Sequence, residues 1–181
     1  MDDNESQRRT FDGDERFVAH SRRKGGDHLD PNRAQKRLPP PVYFLLAIGG
    51  MVLLHNSFPL VQWLNGPWRW LGFVPVVLSG VIAVTARSQF RRQGTTVRPF
   101  EAPTVLVTGG VFRISRNPMY LALVLILLGI GVCLGTASPW VVVPVFVWLI
   151  TVNVVRCEEE SLAAQFGDAY ARYRREVRRW I

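Results

Sequence analysis

Residues 119–155 read MYLALVLILLGIGVCLGTASPWVVVPVFVWLITVNVV, two apolar runs joined by Gly135-Thr136-Ala137-Ser138-Pro139 and free of Asp, Glu, Lys and Arg. Each run is near the length that carries an α-helix across about 30 Å of hydrocarbon, where the backbone must satisfy its own hydrogen bonds. The stretch predicts a transmembrane hairpin that returns the chain to the face it left. Working outward, Val42 to Phe58, running on to Leu64, and Trp70 to Ala86 are two further apolar segments. Pro75 and Ser79 predict a bend in the second, tolerable where neighbouring helices satisfy the freed groups. The expected fold is an all-α, polytopic membrane bundle with about four transmembrane helices, near 42–64, 70–86, 119–135 and 137–155.

Charge sets the expected orientation. Residues 1–41 hold nine Lys/Arg and eight Asp/Glu with few large apolar groups, too little to bury against the entropy of ordering them. They are read as a disordered cytoplasmic tail ending at Pro39-Pro40-Pro41, with the folded domain in 42–181. The first hydrophobic stretch begins only after this tail, so no secretory signal is expected. The net charge of +8 does not imply nucleic acid, because a soluble binding module would not carry such apolar runs. Six arginines lie in 87–116 and six follow Val155, whereas the opposite loops hold only Arg69. With four spans these clusters share one side, which the positive-inside rule makes cytoplasmic, along with both termini. Trp63, Trp68, Trp70 and Trp140 then mark the outer ends, and His55 is interfacial. Twenty of the 22 basic residues are Arg, which hints at a GC-rich bacterial genome and, with the spans, makes a bacterial inner membrane the expected location. Cys133 and Cys157 have no partner spacing for a disulfide or a metal.

Past Val155, the residues Val155, Glu159, Leu162 and Phe166 recur on one helical stripe. Gly167 is expected to end that helix and Asp168 to cap a second, with Tyr170, Tyr173 and Val177 opposite Arg172, Arg174, Arg175 and Arg178. These C-terminal helices, 156–179, are expected against anionic headgroups. Glu159 on the stripe should be partly desolvated and needs a cationic partner, protein or ligand, while Glu160 can form an exposed pair with Arg156. Asn153 fits either a packing amide or a ligand contact. The cytoplasmic loop 87–118 is rich in special residues. Arg87, Arg91 and Arg92 read as ordinary orienting charge, and Asn117-Pro118 suits a helix start.

Taken together, Gly94-Thr95, Leu106-Val107-Thr108-Gly109, Phe112-Arg113-x-x-Arg116-Asn117-Pro118-x-Tyr120 and Glu158-Glu159-x-x-Leu162-x-x-x-Phe166-Gly167-x-x-Tyr170-x-x-Tyr173 resemble the isoprenylcysteine carboxyl methyltransferase family and its phospholipid methyltransferase relatives, over roughly residues 68–180. The resemblance implies methyl transfer from S-adenosylmethionine to a lipophilic acceptor bearing a carboxylate, thiol or amine. It places the cofactor on Arg116, Asn117, Pro118, Tyr120, Glu158 and Glu159, and the acceptor near Arg113 and Tyr173. It implies no metal and assigns no catalytic residue or oligomeric state. Asn117 stands where many relatives have His, which removes a titrating group from that position. Val111, Phe112 and Ala122 depart from the family's frequent Pro, Tyr and Gly. Methyl transfer mainly requires alignment and exclusion of water. Prenylated cysteines are not an expected acceptor in a bacterium. Two other classes fit less of the pattern: a sterol-reductase-like membrane reductase using NADPH, and a non-enzymatic membrane anchor.

Overall fold

The computed structural model describes residues 38–92 and 105–181, all within the unit Arg37–Ile181. The tail up to residue 37 and the Gln93 to Pro99 motif lie outside the described residues. Helix α1 spans Pro40–Ser57. A 3-10 turn, Gly66–Gly72, leads directly into α2, Phe73–Arg92. Helix α3 spans Pro118–Leu134. A second 3-10 turn, Ser138–Val141, opens α4, Val142–Ile150, which passes through a π turn at Thr151–Val155 into α5, Arg156–Glu176. The described residues form no named strand and only one isolated bridge, Gln62 with Thr136.

Three of these stretches, Pro40–Ser57, Gly66–Arg91 and Ser138–Glu176, are long and apolar enough to cross a membrane. The apolar α3 has 17 residues, at the lower end of the usual spanning length of about 17–25. The chain is therefore an all-α integral membrane bundle. Leu46, Leu53, Val77 and Val84 are exposed on the helices, as lipid-facing positions require. The interior holds Met51 from α1, Val124 and Leu127 from α3, and Phe146 and Ile150 from α4.

Two expectations are corrected. Helix α1 stops at Ser57 instead of running on to Leu64: Pro59 interrupts the helical pattern, and the chain beyond it pairs with the α3–α4 turn. There Trp63 N and Leu64 N donate to Gly135 O, and Ala137 N donates to Val61 O. The bend expected at Pro75 is also replaced. The winding changes from 3-10 to α between Gly72 and Phe73, so Pro75 falls in the first turn of α2, where a missing N–H is tolerated.

The predicted short turn after α3 is present. Gly135 adopts φ 71° and donates its N–H to Gly131 O, a left-handed helix ending that suits glycine. Arg69 donates from Nη2 to Leu134 O at 3.2 Å and from Nε to Cys133 O, neutralising carbonyls at the negative end of α3. His55 Nδ1 and Thr136 Oγ1 share a hydrogen bond of 2.8 Å at this same end.

Helix α2 packs chiefly along α3, and the 3-10 turn that leads into α2 meets the α3 backbone at two glycines, Gly72 and Gly129. A Cβ at Gly129 would lie 2.5 Å from Gly72 O and 2.6 Å from Val76 Cγ2. Such close approach is how helices associate in lipid, where apolar surface alone supplies no driving force. Gly129→Ala is accordingly expected to destabilise the bundle by roughly 1–3 kcal/mol through overpacking. A lower melting temperature in detergent is the measurement, and an unchanged one would refute the tight crossing.

Candidate functional site

At the opposite end of the α3–α4 hairpin, three pieces of chain converge: the start of α3, the start of α5 and the segment Val177–Ile181. Pro118 opens α3, its fixed φ and missing donor suiting that position. Asn117 precedes it, and its side chain does not cap the helix. Instead Asn117 Nδ2 donates to Arg179 O at 3.2 Å, as does Ser115 Oγ at 3.2 Å, while Arg116 N donates to Arg178 O at 3.1 Å. These bonds strap the segment after α5 beneath the first turn of α3.

Glu158 and Glu159 are neighbours on α5, so their side chains diverge by about 100° and meet different partners. Tyr120 donates its hydroxyl to Glu158 Oε1 at 2.6 Å. Glu159 is 7% exposed and accepts a forked pair from Arg179, Nε to Oε1 at 3.0 Å and Nη2 to Oε2 at 2.7 Å. Arg116 Nη1 also approaches Glu159 Oε1 at 3.3 Å and donates to Tyr170 Oη at 3.4 Å. The hydrogen bonds it donates to Glu159 hold the Arg179 guanidinium above its ordinary pKa, against the opposing effect of partial burial. The Arg116 side chain is 8% exposed, yet its Nε has no hydrogen-bond partner among the described residues.

Arg116 and Tyr120 therefore approach Glu158 and Glu159 as the hairpin predicts. Of the two cationic partners open to Glu159, protein or ligand, the structure supplies protein ones, Arg179 and Arg116. Tyr173, expected near the acceptor, is buried beside Phe112, Tyr170 and Val177, with its hydroxyl donating to Phe112 O at 2.7 Å. Its place on the apolar stripe with Tyr170 and Val177 turns it inward. Asn117 and Pro118 are buried supports of the turn, and Arg113 is exposed at the end of the 3-10 turn Gly110–Arg113. Gly110 adopts φ +55°, and a Cβ there would run into the Gln89 amide, so this glycine, next after the Leu106 to Gly109 motif, lets the loop seat against α2.

Beyond α4 the structure follows the predicted stripe. Val155 and Glu159 are buried, and Leu162 and Phe166 pack against the cluster that includes Phe112, Tyr170 and Tyr173. Gly167 breaks the helical backbone with φ 49° and ψ −121°, as its conformational freedom allows. Asn153 Nδ2 donates to Leu149 O at 2.8 Å.

Two features escaped the sequence reading. Arg179 sat beside a run of arginines assigned to headgroups, although a buried Glu159 signalled the need for a cation. The π turn at Thr151–Val155 follows Thr151 Oγ1 and Asn153 Nδ2 bonding back to the Val147 and Leu149 carbonyls, a pattern that perturbs helices. Such turns recur at functional sites.

The model of the phospholipid methyltransferase family matches residues 67–169, from the 3-10 turn before α2 to the break in α5. The chain belongs to the phospholipid methyltransferase family. A protein of Haemophilus influenzae, described as uncharacterized, is 43% identical over 63 residues, 35% of this chain and all of that protein. The protein-S-isoprenylcysteine O-methyltransferase of Schizosaccharomyces pombe is 30% identical over 73 residues, 40% of this chain and 31% of the yeast protein. This chain thus spans about a third of the yeast enzyme's length. No solved structure matches. Family membership and the apolar helices together make this a membrane methyltransferase acting on membrane substrates.

Proposed function

We propose that the chain transfers a methyl group from S-adenosylmethionine to a lipid-soluble acceptor at the membrane face where α3 and α5 begin, and that this face is cytoplasmic. The observation that carries the reading is the buried Arg116 side chain, whose Nε is unpartnered among the described residues, in the same cluster as Glu159, next along α5 to the Glu158–Tyr120 pair. An orphaned guanidinium N–H inside a protein calls for an acceptor, and the amino-acid end of S-adenosylmethionine offers a carboxylate. Glu158 offers the complementary charge for an ammonium or sulfonium. The donor set therefore fits the cofactor, whose own contribution is a methyl group activated on positive sulfur.

In this reading Arg116 binds the carboxylate, and Glu158, held by Tyr120, faces positive charge. The strap of Val177–Ile181 keeps the start of α3 in register with α5. The apolar walls of the bundle exclude water, so that the acceptor meets the methyl carbon in line. Side entry between helices suits an acceptor dissolved in the bilayer, and the arginine-rich face suits both termini lying on the cytoplasmic side of a bacterial inner membrane.

The test uses the full chain in nanodiscs with bacterial lipid extract and S-adenosylmethionine labelled on the methyl carbon. Label should appear in the organic phase, and it should diminish in Tyr120→Phe. Binding of NADPH with no binding of S-adenosylmethionine would overturn the reading in favour of a reductase, and binding of neither in favour of an anchor.

A further inference from the structure

Arg179 has its backbone tied to the turn around Arg116-Asn117 and its side chain tied to Glu159. Its carbonyl accepts from Ser115 Oγ and Asn117 Nδ2, and its guanidinium takes both oxygens of Glu159. The next residue, Trp180, packs against the core of the spans, which fixes the segment from its other side. Arg116 approaches the same carboxylate through Nη1 alone, at 3.3 Å against 2.7 Å for the Arg179 contact, and keeps a buried, unused Nε. The forked geometry belongs to Arg179, and the spare donor to Arg116.

From this division we infer that Arg179 is a positioning residue: by occupying Glu159 in a forked pair, it leaves Arg116 oriented to receive an anionic group, the carboxylate at the amino-acid end of the methyl donor. Without Arg179 the sole buried anion within reach of Arg116 among the described ion pairs, Glu159, would draw its guanidinium into the fork. Nε would then be spent on protein. The inference rests on the proposed S-adenosylmethionine site and adds the segment after α5, beyond the family-matched residues 67–169, to the machinery of donor binding.

Two probes separate this role from a structural one. S-adenosylhomocysteine carries the carboxylate and ammonium, whereas 5′-methylthioadenosine keeps the nucleoside and thioether but lacks both. Isothermal titration of the detergent-solubilised full chain should give Arg179→Gln an affinity for S-adenosylhomocysteine weaker by about tenfold or more, by analogy with losing the outer contacts that orient metal ligands, with little change for 5′-methylthioadenosine. In an Arg116→Gln background the further change Arg179→Gln should cost nothing more, because the two act through one contact. Arg179→Lys, which keeps the charge without the fork, should weaken S-adenosylhomocysteine binding alike and serves if the Gln variant does not fold.

Equal weakening of both probes, additive losses in the double variant, or wild-type affinity in either folded single variant would overturn the inference. So would failure of both variants to fold, which would assign Arg179 to the fold alone. Failure of the wild type to bind either probe would instead overturn the reading of the chain as an S-adenosylmethionine enzyme.

Discussion

Glu159→Gln is expected to lower the stability of the folded chain by about 3–5 kcal/mol, the usual cost of removing one partner from a buried charge cluster. The amide keeps the shape but leaves the guanidinium of Arg116, 8% exposed, and that of Arg179, 30% exposed, without their shared anion. Partial exposure of Arg179 places the effect toward the lower end of that range, since water can reach it. Thermal unfolding in detergent without ligand is the measurement. Glu160, exposed on the same helix, gives the control: Glu160→Gln should cost less than about 1 kcal/mol. Equal melting of wild type and Glu159→Gln would mean that the cluster does not hold α5 to α3.

Glu158→Gln is expected to do the reverse, sparing the fold and weakening the donor site. Its Oε1 accepts from Tyr120 at 2.6 Å, and a glutamine carbonyl can accept the same bond. What disappears is the negative charge proposed to face the ammonium or sulfonium, a loss of about 2–4 kcal/mol of S-adenosylmethionine binding for a desolvated charged pair. Titration with S-adenosylmethionine reads this, alongside melting as the fold control. Unchanged affinity would remove Glu158 from the site.

The contrast between these two adjacent glutamates marks what the sequence makes legible. The spans of α3 and α4 announce themselves, because uninterrupted apolar composition has few other physical uses. The juxtaposition of Tyr120 with Glu158 follows from the tight turn at Gly135, which requires no knowledge of side-chain packing. The end of α1 was harder to see: Leu60, Val61 and Leu64 are as apolar as a helix interior, but Pro59 and pairing with the next turn draw them out of it. Partner choice for Glu159 depends on how the chain after Glu176 folds back, a tertiary event with no periodic signal. Tyr173 has the same polar tip as Tyr120, and only the three-dimensional arrangement decides that one tip meets a carboxylate and the other a backbone carbonyl.

The wide turn at Thr151–Val155 bears on how such a protein can change over time. An ordinary helix couples length to rotation, and each added residue swings everything after it by about 100°. A membrane of different thickness would then demand a longer span at the expense of aiming Glu158 and Glu159 elsewhere. A locally widened turn between the span and the glutamates absorbs one residue of such slippage, so that bilayer-matching and carboxylate-aiming can be adjusted separately. Trimming one residue from within 151–155 is the economical way for evolution, or an engineer, to fit the same pair of carboxylates to a thinner membrane.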